Sequence, residues 1–105
     1  MTRRHQPTTF ETKVRRMFEN YDNGEPDRAR VCRVFRERWA SVLTAAEVTR
    51  LAGGEDLTRA LNAAVRAGVL RAVHFQGKRF YEVRMSRDDR ARLLYETAQR
   101  RERRR

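Results

Sequence analysis

Few side chains in this sequence are suited to acid–base, nucleophilic or metal chemistry. Cys32 is the only cysteine, and His5 and His74 are the only histidines. One cysteine excludes an internal disulfide and any cysteine-paired zinc site. The two histidines stand at no ligand spacing, so no metal and no cofactor is expected. A thiolate nucleophile needs a base partner and access, whereas Cys32 sits among Val31, Val34 and Phe35 and reads as a small buried hydrophobe. His74 has no acid or serine partner by pattern. Gly53-Gly54 lacks the lysine of a phosphate-cradling loop. The chain is not expected to be an enzyme.

What the sequence holds in quantity is guanidinium. Against 14 acidic residues stand 25 basic ones, of which 23 are arginine, and the formal charge is +11. A pI near 11.4 favours polyanionic partners, either nucleic acid or an anionic membrane surface. The planar guanidinium fork suits bidentate contact with phosphate and guanine edges better than an ammonium does. Codon usage in a GC-rich genome is the competing explanation of the arginine-to-lysine ratio, and it carries no function.

A chain of 105 residues, 39% of them hydrophobic, is sized for one domain with one small core. Its longest apolar runs, three or four residues, fall far short of the roughly 20 that span a bilayer. The segment Met1 to Thr9 lacks the apolar centre of a signal peptide. A soluble, cytoplasmic protein with no membrane partner is therefore expected. The larger apolar residues concentrate between Val31 and Met85, which predicts an N-terminal helix and linker over residues 1–26, the core domain over 27–85 and a C-terminal helix with a basic tail over 86–105.

Thr8 and Glu11 have capping-box spacing and predict a helix carrying Phe10, Val14, Met17, Phe18 and Tyr21 as one apolar stripe. That stripe must bury itself against its own domain or a second subunit. After Pro26, Asp27 is placed to cap a helix running to about Ser41, with Val31, Val34, Phe35 and Trp39 on one face. Val42 and Leu43 form a short apolar bridge. Thr44 and Glu47 make a second capping box, opening a short helix through Val48 and Leu51 that stops at Gly53-Gly54. Glu55 and Asp56 suit the start of the next helix, which carries Leu57, Leu61, Ala64 and Val65 and ends at Gly68. Val69 to Phe75 and Arg79 to Met85, separated by Gln76-Gly77-Lys78, predict a β-hairpin with a basic tip. Ser86 with Asp88 and Asp89 starts a last helix bearing Leu93, Leu94 and Tyr95, and the final six residues, from Arg100, are expected to be disordered.

This is a mainly α chain with a small β-hairpin (α+β), and its order of elements resembles a winged helix-turn-helix domain with extra N- and C-terminal helices. Thr44 to Leu51 looks like the first helix of the unit, Ala52 to Glu55 its turn, Asp56 to Ala67 its recognition helix and Gly68 to Val83 its wing. Gly68-Val69-Leu70-Arg71 and Gln76-Gly77-Lys78-Arg79-Phe80-Tyr81-Glu82-Val83 are similar to the hairpin of small bacterial repressors of the arsenical-resistance and multiple-antibiotic-resistance types. The resemblance covers about 55 residues, Val31 to Met85, and rests on pattern.

The resemblance implies sequence-specific binding of double-stranded DNA, in transcription regulation or a phage or mobile-element accessory role, and hence a place at the nucleoid. With Leu57, Leu61, Ala64 and Val65 facing the core, Thr58, Arg59, Asn62, Ala63 and Arg66 turn to solvent. Arg59 then suits guanine, Asn62 adenine, Thr58 a phosphate or thymine methyl, and Arg66 the backbone; the same residues are also what any solvated helix face carries. In the wing, Gln76, Lys78 and Arg79, near His74, are placed for a flanking groove, while Tyr81 and Val83 belong to the core. Glu55 and Asp56 repel phosphate unless they cap the helix. The basic tail reads either as a phosphate-binding arm or as a solvated helix end. The terminal helices, through Leu93, Leu94, Tyr95 and the Phe10–Tyr21 stripe, are expected either to cover the core or to form a homodimer. The alternative function is a winged-helix module gripping a partner protein such as a polymerase or recombination factor.

Overall fold

The structure, a computed structural model, describes residues 9–103. Thr8, the predicted cap of the first helix, and Arg104 and Arg105 of the tail lie outside the described residues. The described chain is α+β, with five helices and a three-stranded antiparallel sheet.

Helix α1 (Thr9–Tyr21) buries Val14 and Phe18 in the main core, with Met17 and Tyr21 packed against its edge. The first flank thus closes on its own chain through Val14 and Phe18, while the side chain of Phe10, the first residue of the predicted stripe, lies outside the described residues. Helix α2 (Pro26–Glu37) supplies Val31, Cys32, Val34 and Phe35 to the same core. Pro26 sits in its first turn, where a missing N–H leaves nothing unpaired. The cap is Glu25 and not the expected Asp27: its carboxylate accepts from the backbone N–H of Asp27 at 3.3 Å and of Arg28 at 3.2 Å. Asp27 accepts from Arg30 instead, at 3.0 Å. The helix also stops at Glu37, short of Ser41, because Arg38 leaves helical geometry (φ −125°, ψ 47°). The turn that follows lets Trp39 fold back onto the core.

Of the predicted apolar bridge, Leu43 enters a strand and Val42 is left exposed before it. β1 (Leu43–Thr44) pairs with β3 (Lys78–Val83), Leu43 opposite Tyr81 and Thr44 opposite Phe80. Two residues are too few to display a period-two pattern, so the sequence marks Leu43 as a bridge residue and Thr44 as a cap, and neither as a strand. Thr44 then caps α3 (Ala45–Leu51) through the expected capping box: the Glu47 N–H donates to Thr44 Oγ1 at 3.2 Å, and the Thr44 N–H to Glu47 Oε1 at 3.0 Å. Gly53 and Gly54 take φ of +109° and +102°, where an L side chain is strained, and the Gly54 N–H closes the turn on the Thr49 carbonyl at 2.8 Å.

Helix α4 (Thr58–Arg66) begins later than the expected Glu55–Asp56 and ends before Ala67. Both acids are occupied ahead of it. Glu55 accepts from Arg30 of α2 at 2.9 Å, and Asp56 accepts from the backbone N–H of Thr58 at 3.0 Å and its hydroxyl at 2.7 Å. Gly68, with φ +84°, turns the chain into β2 (Leu70–Phe75). The hairpin turn is tighter than expected: Phe75 pairs with Lys78, so Lys78 belongs to β3 and only Gln76 and Gly77 lie between the strands. Both take positive φ, 50° and 75°, the geometry of a type I′ turn. In the sheet β3 is central, with order β1-β3-β2. Leu70, Tyr81 and Val83 are buried against Val48, Leu57, Leu61 and Ala64.

Helix α5 (Arg87–Arg103) runs through residues expected to be disordered. The Asp89 N–H donates to Ser86 Oγ at 3.1 Å, and Asp88 and Asp89 complement the first turn, as favourable charges at a helix start do. Among the described residues no helix is long and apolar enough to cross a membrane, and no three His, Cys, Asp or Glu side chains form a metal-holding group.

Candidate nucleic-acid interface

From Leu57 to Tyr81 the chain has no carboxylate and carries Arg59, Arg66, Arg71, Lys78 and Arg79. This stretch spans α4, β2 and β3 as far as Tyr81, so one continuous piece of sequence without a carboxylate supplies the helix and most of the hairpin. Seven of the acids elsewhere are engaged in structure: Glu55 and Asp27 on Arg30, Glu37 on Arg38, Asp89 on Lys13, Glu82 on Arg90, Glu47 and Asp56 on threonines. Among the described residues, Arg59, Arg66, Lys78 and Arg79 have no carboxylate at ion-pair distance.

On α4, Leu57, Leu61 and Ala64 are buried and Val65 is half-buried, which leaves Thr58, Arg59 and Arg66 exposed as expected. Asn62 departs from that expectation. It is half-buried, and its Oδ1 accepts from the Tyr81 hydroxyl at 2.8 Å. Reading adenine in bidentate fashion takes both the oxygen and the nitrogen of the amide, and here the oxygen is already bonded within the protein. Ala63 is also half-buried. The Thr58 hydroxyl donates to Asp56, and this bond, followed by that from the Thr58 backbone N–H, holds the Asp56 carboxyl below its ordinary value. A carboxylate therefore stands charged at the start of α4, as an N-terminal turn favours.

In the hairpin His74, Phe75, Gln76, Lys78 and Arg79 are all exposed. Arg79 lies over the Tyr81 ring, its guanidinium carbon 5.4 Å from the centroid. Asn62, Tyr81 and Arg79 thus form a continuous link from α4 to the hairpin. On the other side of β3, Lys78 and Arg79 line a shallow depression of about 370 Å³ with Thr44, Ala45 and Ala46. Bonds from the Thr44 backbone and hydroxyl, with smaller contributions from Arg50 and Lys78, lower the Glu47 carboxyl from its ordinary value.

Two relationships were not read from the sequence. The first is the Tyr81–Asn62 bond; the signal was present, because a buried tyrosine hydroxyl requires a partner and α4 is the element packed on the sheet. The second is the pair of Glu82 with Arg90 at 2.7 Å, in which the Glu82 side chain is almost wholly enclosed. Its position between the core residues Tyr81 and Val83 puts Glu82 on the opposite sheet face, where Arg90 of α5 meets it.

Cys32 is buried, and burial, followed by the nearby negative charge of Asp22, pushes its thiol up to about 11. At neutral pH it is a protonated hydrophobe. On α5, Leu94 and Tyr95 are 64% and 66% exposed, while the side chain of Leu93 lies outside the described residues.

Comparison with known proteins finds no matching family model, no matching curated protein and no matching solved structure.

Proposed function

We propose that this chain is a winged helix-turn-helix protein that binds double-stranded DNA, with α4 in the major groove and the β2–β3 hairpin on the flanking backbone. The succession α2, β1, α3, glycine turn, α4 and hairpin supports this reading of the fold, with Leu43 of the bridge in β1. Fold by itself does not specify function. The observation that carries the proposal is the acid-free stretch from Leu57 to Tyr81, whose exposed Arg59 and Arg66 lie on one helix and whose Lys78 and Arg79 lie on the adjoining hairpin. Arg59 is the base-reading candidate, and Arg66, Lys78 and Arg79 are phosphate contacts. Asn62 serves chiefly to brace the hairpin through Tyr81. A second copy of the chain would dock through α5, where Leu94 and Tyr95 are exposed, and so pair two half-sites. Transcription regulation at the nucleoid is the role that fits such a reader.

The test is binding to random duplex DNA and to duplex from beside the protein's own gene, over a salt series. On duplex DNA each phosphate contact adds about −0.9 to the slope of log affinity against log salt. Arg66→Ala, Lys78→Ala and Arg79→Ala should each reduce the slope by about that amount and weaken all sequences alike. Arg59→Ala should narrow the gap between the two DNAs. Binding that ignores salt, or that none of the four substitutions alters, would refute the proposal and favour a protein partner.

A further inference from the structure

Phe75 is 62% exposed at the end of β2, while Leu70, Tyr81 and Val83 of the same hairpin are buried. It pairs with Lys78 across the two-residue turn, and paired residues project from the same face of a sheet. The next pair on that face, Val73 with Phe80, is half-buried, so Phe75 extends the apolar row past the point where the protein covers it. Around it stand His74, Gln76, Lys78 and Arg79, all exposed. The turn takes the type I′ geometry whose twist matches the strands, so the tip is held in shape before any partner arrives.

We propose, resting on the DNA-binding reading above, that Phe75 is a wedge that enters between neighbouring base pairs of the bound duplex and kinks it. Apolar side chains inserted at a base step unstack it and bend the duplex. Lys78 and Arg79, beside Phe75 at the tip, are placed to contact the phosphates that flank the opened step. Pyrimidine–purine steps such as TA unstack most readily and A-tracts resist, so Phe75 confers a preference at positions that no hydrogen bond reads.

The experiment uses duplexes carrying a dye at each end, one with TA steps throughout and one an A-tract of equal length, titrated with the full chain, Phe75→Ala and Phe75→Trp. The wild type should draw the ends of the TA duplex together and bind it more tightly than the A-tract. Phe75→Ala, at an exposed site that leaves the fold intact by circular dichroism, should bind about tenfold more weakly, leave the duplex straight and keep the wild-type salt slope. Phe75→Trp should bend as the wild type does. Salt-dependent binding with a bend and affinity indifferent to Phe75→Ala overturns the wedge and leaves the DNA-binding reading standing. Tighter binding to unpaired strand than to either duplex, lost in Phe75→Ala, also overturns it, by assigning Phe75 to stacking on single-stranded bases. Absence of salt-dependent binding by the wild type overturns both.

Discussion

The Tyr81 hydroxyl donates to Asn62 Oδ1 across 2.8 Å, joining β3 to α4. Tyr81 is 2% exposed and carries Arg79 over its ring. The bond thus fixes the distance between the arginines of the helix and the cations of the hairpin. On the proposed DNA-binding reading, such fixed spacing favours the bound state, because less freedom is lost on binding.

Removing either partner should have unequal consequences. Tyr81→Phe leaves only the half-buried Asn62 oxygen unpaired, for a loss of about 1 kcal/mol. Asn62→Ala strands a hydroxyl inside the core, for a loss towards about 3 kcal/mol. Urea unfolding of both variants and of the double variant gives the coupling, and additive effects would show that the bond contributes nothing.

The Glu82–Arg90 pair anchors the start of α5 to the sheet. Because Glu82 is enclosed and Arg90 is partly solvated, Arg90→Ala should leave a buried carboxylate without its donor, destabilising the fold by about 1–3 kcal/mol. Limited proteolysis should then cut within α5 sooner than in the wild type. An unchanged cleavage pattern and unfolding midpoint would mean that α5 is held by other contacts.

Cys32 makes a statement about alkaline stability. Its thiol is raised from an ordinary 9.0 to about 11 by burial first and by Asp22 second, so folding favours the protonated form. The linked stabilisation is complete below pH 9.0 and is lost as pH rises through about 11. Unfolding free energy should fall across that window in the wild type and fall less in Cys32→Ala. At neutral pH a thiol reagent should label the unfolded chain quickly and the native chain only as it opens.

Gln76 adopts φ +50° in the hairpin turn, where residues other than glycine, asparagine and aspartate are disfavoured. Gln76→Asn creates Asn-Gly, the preferred pair for a type I′ turn, and should stabilise the protein by about 1 kcal/mol. A thermal melt checks this, and a lower midpoint would show that the Gln76 side chain makes a contact worth more than the backbone strain.

The elements most legible in the sequence were those with a repeating signal or a fixed chemical offset. The Thr44–Glu47 box, the Val31–Phe35 face and the Gly68 stop all appear where their residues predict. Two helix starts shifted where an acid had two possible partners, Glu25 displacing Asp27 as a cap and Glu55 going to Arg30, while the end of α2 shifted because Arg38 leaves helical geometry. β1 was silent as a strand because its pairing partner lies on a distant strand. At the candidate interface, exposure of Thr58, Arg59 and Arg66 followed from helical period, whereas the capture of Asn62 depended on the β3 register, which puts Tyr81 rather than Phe80 on the α4 side.

Thr44 belongs to β1 and is also the cap of α3. A helix of 7 residues has little persistence alone, and a strand of 2 residues has none. Each therefore exists only while the hairpin is in place to receive Phe80 opposite Thr44. The amide protons of α3 and β1 should accordingly exchange with solvent as one cooperative unit, opening and closing with β3.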